Sequence, residues 1–166
     1  MTEEALPAAY DALIGIGSNV GDKAGNIARA VGLLCADGAV RLVAMSRLYR
    51  SAPWGILEQD WFVNGAAGVA TEVTPHELLR RCLAVEDAMG RVRSVKWGPR
   101  LVDVDVLTYR AETIDMPDLK VPHPFIEKRS FVLVPLLDIA ADEIVRGRAV
   151  RDLAAAIDTS DCVPLG

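Results

Sequence analysis

This chain has no surplus of positive charge, no apolar run long enough to cross a membrane and no cysteine framework, and each lack removes a class of protein. Its 18 basic residues face 23 acidic ones, for a formal net charge of −5 at pH 7. That balance excludes a general nucleic-acid binder. Cys35, Cys82 and Cys162 are an odd number with no Cys-x-x-Cys spacing, so free thiols in a reducing compartment are expected, with Cys82 in the core. No apolar stretch approaches a membrane span, and Met1-Thr2-Glu3-Glu4 lacks the basic region of a secretory leader. The expectation is a soluble, cytoplasmic protein with no membrane partner. Repeats, linkers and low-complexity segments are missing too, so residues 1–166 are expected to form a single domain with a real core. Gly15, Gly17 and Gly21 fall at G-x-G-x-x-x-G spacing, and no Gly-Lys-Ser/Thr follows. Neither a dinucleotide fingerprint nor a P-loop is therefore present. The same glycines suit a tight turn into a helix capped by Asp22.

What is present centres on the stretch from Gly90 to Leu107. Arg91, Arg93, Lys96 and Arg100 occupy its first half with no acid among them. Setting those four aside leaves 14 basic residues against 23 acidic ones, so the positive charge marks a local anion site on an acidic protein. In the second half Val102, Val104 and Val106 alternate with Asp103 and Asp105. Alternation is the strand period, so the valines face a core and the two carboxylates share the other face, roughly 6–7 Å apart. Like charges that close repel unless a cation joins them. Mg²⁺ does so and commonly brings a phosphate substrate with it. The bland alternative is solvated charge on a wet face beside an ordinary surface loop. Aspartate is depleted in strands, and two in succession ask for a reason.

The rest of the chain is read in order. Ala12–Ile16 suits a central strand. Ile27, Val31 and Leu34 stripe a first helix that ends near Asp37-Gly38. Val40 to Arg50 is expected as one strand. Ser51-Ala52-Pro53-Trp54-Gly55 is a loop in which Trp54 is either a lid over a flat ligand or a core anchor. Phe62 to Val73 is a strand of small residues. Phe62 and Asn64 share a face, which suits a planar heterocycle or, more blandly, a core ring beside a satisfied amide. Thr74-Pro75-His76-Glu77 opens a second helix, with His76 an exposed first-turn residue. Leu78, Leu79, Cys82, Leu83 and Met89 form its apolar face. Glu86 lies on that stripe, with Arg91 and Arg93 as candidate partners. Thr108 to Lys120 is a polar hairpin or connector. His123 is held extended between Pro122 and Pro124. Val132–Ile139 is helical despite Pro135, and Val150–Ile157 is a short amphipathic helix. Strand, helix, strand, strand, helix, strand is the split βαβ order. The predicted fold is therefore α+β, ferredoxin-like βαββαβ: an antiparallel sheet with helices on one face, the other face free for a ligand, and a mixed C-terminal extension.

Several segments together resemble the 6-hydroxymethyl-7,8-dihydropterin pyrophosphokinase family. They are Ile16-Gly17-Ser18-Asn19, Leu48-Tyr49-Arg50-Ser51, Phe62-Val63-Asn64, Glu86 with Gly90-Arg91-Val92-Arg93, Trp97-Gly98-Pro99-Arg100 before Asp103-Val104-Asp105, and Val121-Pro122-His123-Pro124 with Arg129. They run in order over about residues 12–140. The resemblance implies pyrophosphoryl transfer from ATP to the pterin in folate biosynthesis, with release of AMP. It implies two Mg²⁺ ions on Asp103 and Asp105. Arg91, Arg93 and Arg100 would be phosphate-handling residues of a mobile loop, and with the two aspartates the catalytic set. Glu86, His123 and Arg129 would join those arginines in binding ATP. Gly17, Ser51, Ala52, Trp54, Phe62, Asn64, Trp97 and Phe131 would form the pterin pocket. Partners would be these small molecules only, with no nucleic acid, and a monomer is expected. The chain departs from some members in a short Arg93–Trp97 loop, in Pro124 and Phe62 where tyrosine occurs, and in Trp54. Two other classes remain open at this point: a nucleotidyltransferase or cyclase, which would release pyrophosphate, and a non-catalytic sensing domain, which would need neither the aspartates nor the arginine loop.

Overall fold

The computed structural model describes residues 10–51, 61–90 and 101–165. Strand β1 (Ala12–Ser18) lies at the centre. Helix α1 (Lys23–Leu34) follows, its first turn capped by Asp22, whose carboxylate accepts the Gly25 N–H. Next come β2 (Val40–Met45), β3 (Tyr49–Ser51) and the ten-residue β4 (Phe62–Thr71). Helix α2 (Pro75–Ala88) opens as its residues predict, with the Thr74 hydroxyl accepting the Glu77 N–H and Pro75 in the first turn. Strand β5 (Asp103–Tyr109) carries the alternating aspartates.

The sheet is antiparallel, with β1 between β4 and β5. The expected strand from Val40 to Arg50 is divided in two. β2 and β3 both pair with β4, over Val40–Met45 and Tyr49–Ser51, because β1 takes the other edge of β4. Side-chain competition makes the break. Ser46 Oγ accepts the Ala66 N–H at 2.8 Å in place of a backbone carbonyl. The Arg47 N–H turns away to the Asp138 carboxylate at 3.0 Å.

Beyond β5 the polar segment is a hairpin, β6 (Ile114–Met116) and β7 (Leu119–Val121). A 3-10 turn (Ile126–Lys128) leads into α3 (Ser130–Ala140), which contains Pro135. A two-residue hairpin, β8 (Ile144–Val145) and β9 (Arg148–Ala149), leads into α4 (Val150–Ala155). Strand β10 (Cys162–Pro164) adds to the outer edge of β3. Among the described residues no helix is long and apolar enough to cross a membrane.

Both faces of the sheet are packed. Ala12, Ile14, Ile16, Val63, Val104 and Val106 meet α1 and α2 on the first face, through Ile27, Leu34, Leu78, Cys82 and Met89. Burial pushes the Cys82 thiol up to about 12, which makes it an inert core residue. The second face is not left bare, as a sheet with helices on one face only would leave it. Leu13, Ala66 and Leu107 are covered by Leu133 and Leu136 of α3 and Leu153 of α4. The reason is compositional. Leu13, the odd-numbered side chain at the Asp11 end of β1, is as apolar as its even-numbered neighbours Ala12 and Ile14, and each buried leucine or valine is worth about 1.5–3 kcal/mol. The second face stays polar and more exposed only towards the other end of β1. There Asp103 and Phe62 are half-buried and Asp105 is exposed. Two smaller expectations also change. Leu83 is exposed, and Val85 takes its place on the buried stripe of α2. His76 is half-buried, and its ring nitrogen Nε2 meets Asp118 at 3.2 Å.

Candidate active site

The polar end of the second face is built from one cross-strand row. Gly17 pairs with Asn64 on β4 and with Asp103 on β5. Two pairs along, Gly15 stands opposite Asp105. Strand alternation puts Asn64, Asp103 and Asp105 on the face away from α1 and α2. Glycine at position 17 leaves room for the amide: a Cβ there would come within 2.5 Å of Asn64 Oδ1 and force it to move. The Asn64 amide is fixed, because its Nδ2 donates to Ser51 Oγ at 2.9 Å and both side chains are buried. The remaining oxygen, an acceptor, is thereby held over Gly17.

The second part of the site comes from the segment between β7 and α3. Arg129 has its guanidinium carbon 4.9 Å from the Phe125 ring centre and 5.5 Å from that of Phe131. Burial lowers its pKa, and attraction to Asp105 and Asp103 opposes that shift, so the guanidinium belongs to the aspartate cluster. His123 is pushed down to about 4, first by burial and then by the charges of Arg129 and Arg146. Its imidazole is neutral at pH 7. Nδ1 accepts the Phe125 N–H at 3.1 Å, which leaves the proton on Nε2 as a donor.

The third part is a pocket of about 350 Å³ at the open edge of β5. Leu79, Leu83 and Glu86 of α2 line one wall, and Leu119, Lys120 and His123 line the other. Glu86 is buried. Its carboxylate accepts the Val104 N–H at 2.8 Å, a group that the edge strand presents outward. Arg91 and Arg93 lie outside the described residues, as do Ala52, Trp54, Trp97 and Arg100.

The structure thus brings together Gly17, Ser51 and Asn64 in one cluster, Asp103, Asp105 and Arg129 in a second, and Glu86 with His123 in the pocket. Phe62 pairs with Ser51 at the rim, and Phe131 meets Arg129. Sequence reasoning missed the apolar walls, Leu79, Leu83 and Leu119. Periodicity marks such residues as core and cannot tell that a hairpin folds over a strand edge. Among the described residues no group of three or more His, Cys, Asp or Glu is gathered for a metal. The donor set present is two carboxylates beside two glycines. Hard oxygens with room for water and phosphate suit Mg²⁺ rather than a softer ion.

An antiparallel α+β domain with an acid pair and an arginine at the polar end of one sheet face, and a neutral histidine in the pocket at the sheet's edge, defines the class. The particular family follows from similarity: the chain belongs to the 7,8-dihydro-6-hydroxymethylpterin-pyrophosphokinase family, whose sequence model matches residues 13–141. It is 49% identical over 149 residues to the 2-amino-4-hydroxy-6-hydroxymethyldihydropteridine pyrophosphokinase of Methylorubrum extorquens, covering 90% of this chain and 94% of that one. It is 41% identical over 144 residues to the protein of that name from Pseudomonas aeruginosa, covering 86% and 89%. Solved structures share the fold at low identity. An HPPK-DHPS in complex with substrates aligns with a TM-score of 0.70 at 13% identity over 91% of this chain and 43% of that one. A Plasmodium falciparum HPPK-DHPS with pteroate aligns at 0.69 and 15% over 94% and 43%. The chain spans less than half the length of those two solved chains.

Proposed function

We propose that the Gly17 row and the edge pocket are two halves of one transfer site, the row taking the pterin and the pocket taking ATP. The protein is a transferase of folate biosynthesis that moves the pyrophosphoryl group of ATP to 6-hydroxymethyl-7,8-dihydropterin. The hydroxymethyl oxygen bonds to the β-phosphorus and loses its proton. The bond from that phosphorus to the α-phosphate oxygen breaks, and AMP leaves.

Each residue has a role in this reading. Asn64 Oδ1, steadied by Ser51, accepts from the N–H edge of the pterin, and bare Gly17 lets the ring lie close. Phe62 and Phe131 supply apolar faces. Ala52, Trp54 and Trp97 join them by resemblance. Asp103 and Asp105 would hold two Mg²⁺, and the metal, when bound, would supply charge neutralisation at the phosphates and acidify the attacking hydroxyl. Neutral His123 donates from Nε2 to a phosphate oxygen. Arg129 adds a charge-assisted contact, as Arg91, Arg93 and Arg100 do by resemblance. Glu86 shapes the ATP pocket by holding β5 against α2.

The observation that carries this reading is the row itself. Gly17 has the Asn64 amide on one side and the Asp103 carboxylate on the other. The order β5-β1-β4 followed by β2 and β3 supports a ferredoxin-like βαββαβ core within one domain over residues 1–166. An acidic surface charge supports a monomer acting on small molecules in the cytoplasm, with no nucleic-acid partner. The test is product analysis with ATP, Mg²⁺ and the dihydropterin. AMP and pterin diphosphate are expected; ADP or free pyrophosphate as the product overturns the reading.

A further inference from the structure

One cation outside the site reaches back into it. Arg146 stands at the tip of the β8–β9 hairpin. Its Nη2 donates to the carbonyl of Pro122 at 2.8 Å and to that of His123 at 2.9 Å. Its Nη1 donates to Glu127 Oε1 at 2.7 Å. The guanidinium therefore ties three points around the bend that carries the His123 ring. Its base is firm, since Val145 and Val150 on either side of the hairpin are fully buried in the second core.

The backbone adds a separate observation. Arg146 has φ +50° and Gly147 has φ +86°, so both central residues of this two-residue turn lie in the left-handed region. Asn-Gly is the favoured pair there, and a long side chain at the first position is disfavoured. An arginine in that place works against its own turn, and its side-chain contacts are what the position gains. They converge on the segment that presents His123.

We propose that Arg146 is a positioning residue for ATP binding, which holds the carbonyls of Pro122 and His123 so that the His123 ring points Nε2 into the nucleotide pocket. The inference rests on the reading of His123 as an ATP contact. Its chemistry is that of a support group behind a ligand-binding imidazole: a fixed backbone sets the ring orientation, and the Phe125 N–H on Nδ1 sets the tautomer. Lysine in this place has no planar fork with which to span two carbonyls and a carboxylate.

The decisive variant is Arg146→Asn, because asparagine suits the turn and the fold should be at least as stable as before. KM for ATP should rise about tenfold while KM for the pterin stays within about twofold. Arg146→Lys should fall between. With only two histidines, His76 and His123, long-range nitrogen–proton spectra read the ring directly. His123 should lose its single-tautomer signature in Arg146→Asn, and His76 should not change. Unchanged ATP KM in Arg146→Asn, with a raised one in His123→Ala, overturns the positioning role and leaves His123 in place. No effect of His123→Ala on ATP KM removes the reading on which the inference rests. In the His123→Ala background Arg146→Asn should add nothing, and additive losses would show that Arg146 acts on its own.

Discussion

Glu86 and Val104 are joined by a buried hydrogen bond, the carboxylate on α2 accepting the strand's N–H at 2.8 Å. The contact ties the helix wall of the edge pocket to the strand that carries Asp103 and Asp105. Glu86→Ala leaves a buried edge N–H without its acceptor, and the expected loss of unfolding stability is about 1–3 kcal/mol. Glu86→Gln keeps an acceptor oxygen and should lose less. Urea denaturation of the two variants checks this, and an alanine variant as stable as the parent rules out the contact as a stabiliser.

Gly17 and Asn64 set the floor of the proposed pterin half. The Cβ of Gly17→Ala would press on Asn64 Oδ1, so the amide must turn and break its bond to Ser51 or the strands must part. Either way the Gly17 row is disturbed and the edge pocket is not. KM for the pterin should rise at least about tenfold, matching the ~1–3 kcal/mol of an overpacked site. ATP affinity by calorimetry should stay within about twofold of the parent. Equal losses at both substrates would show that the two halves are not separable.

Asp103 and Asp105 face the same way on β5, one half-buried and one exposed. Asp103→Asn and Asp105→Asn keep shape and remove charge, so the sheet should hold. On the proposed metal reading kcat should fall on the order of 100-fold or more, and raising Mg²⁺ should recover part of it. Activity independent of Mg²⁺ in both variants would contradict the assignment.

His123 makes stability depend on pH. In the folded chain it titrates at about 4, below its ordinary value near 6.5, because burial and neighbouring arginines disfavour the imidazolium. Below pH 6.5 the unfolded chain takes up a proton there that the folded chain refuses until about 4. Its contribution is therefore fully present above about pH 6.5, shrinks as pH falls towards 4, and changes no further below that. The drop in urea midpoint between pH 7.5 and pH 5 should be smaller in His123→Gln than in the parent, and equal drops would count against a depressed pKa.

The elements that could be read from sequence are those fixed by neighbours a few residues away. Val102 to Val106 alternate with aspartates, and alternation alone puts both carboxylates on one face. Thr74-Pro75 and Asp22 announced helix starts, since a cap bonds only three residues ahead. Gly17 could be marked as special, although its reason, Asn64 at the next strand, could not. Elsewhere distant residues decided. The strand from Val40 to Arg50 is cut by Ser46 bonding across the sheet and by Asp138 of α3, which holds the Arg47 N–H and, at 2.8 Å, the Tyr49 hydroxyl.

The sequence by itself determined the strand that bears the acid pair and the two capped helices against the first face, because these follow from periodicity and local hydrogen bonds. The tertiary structure alone decided that α3 and α4 close half of the second face, that a hairpin walls the edge of β5, and that Arg146 grips the His123 bend from 23 residues away. Those are long-range contacts, and no local pattern encodes which distant partner will satisfy a buried N–H, a carbonyl or an apolar face.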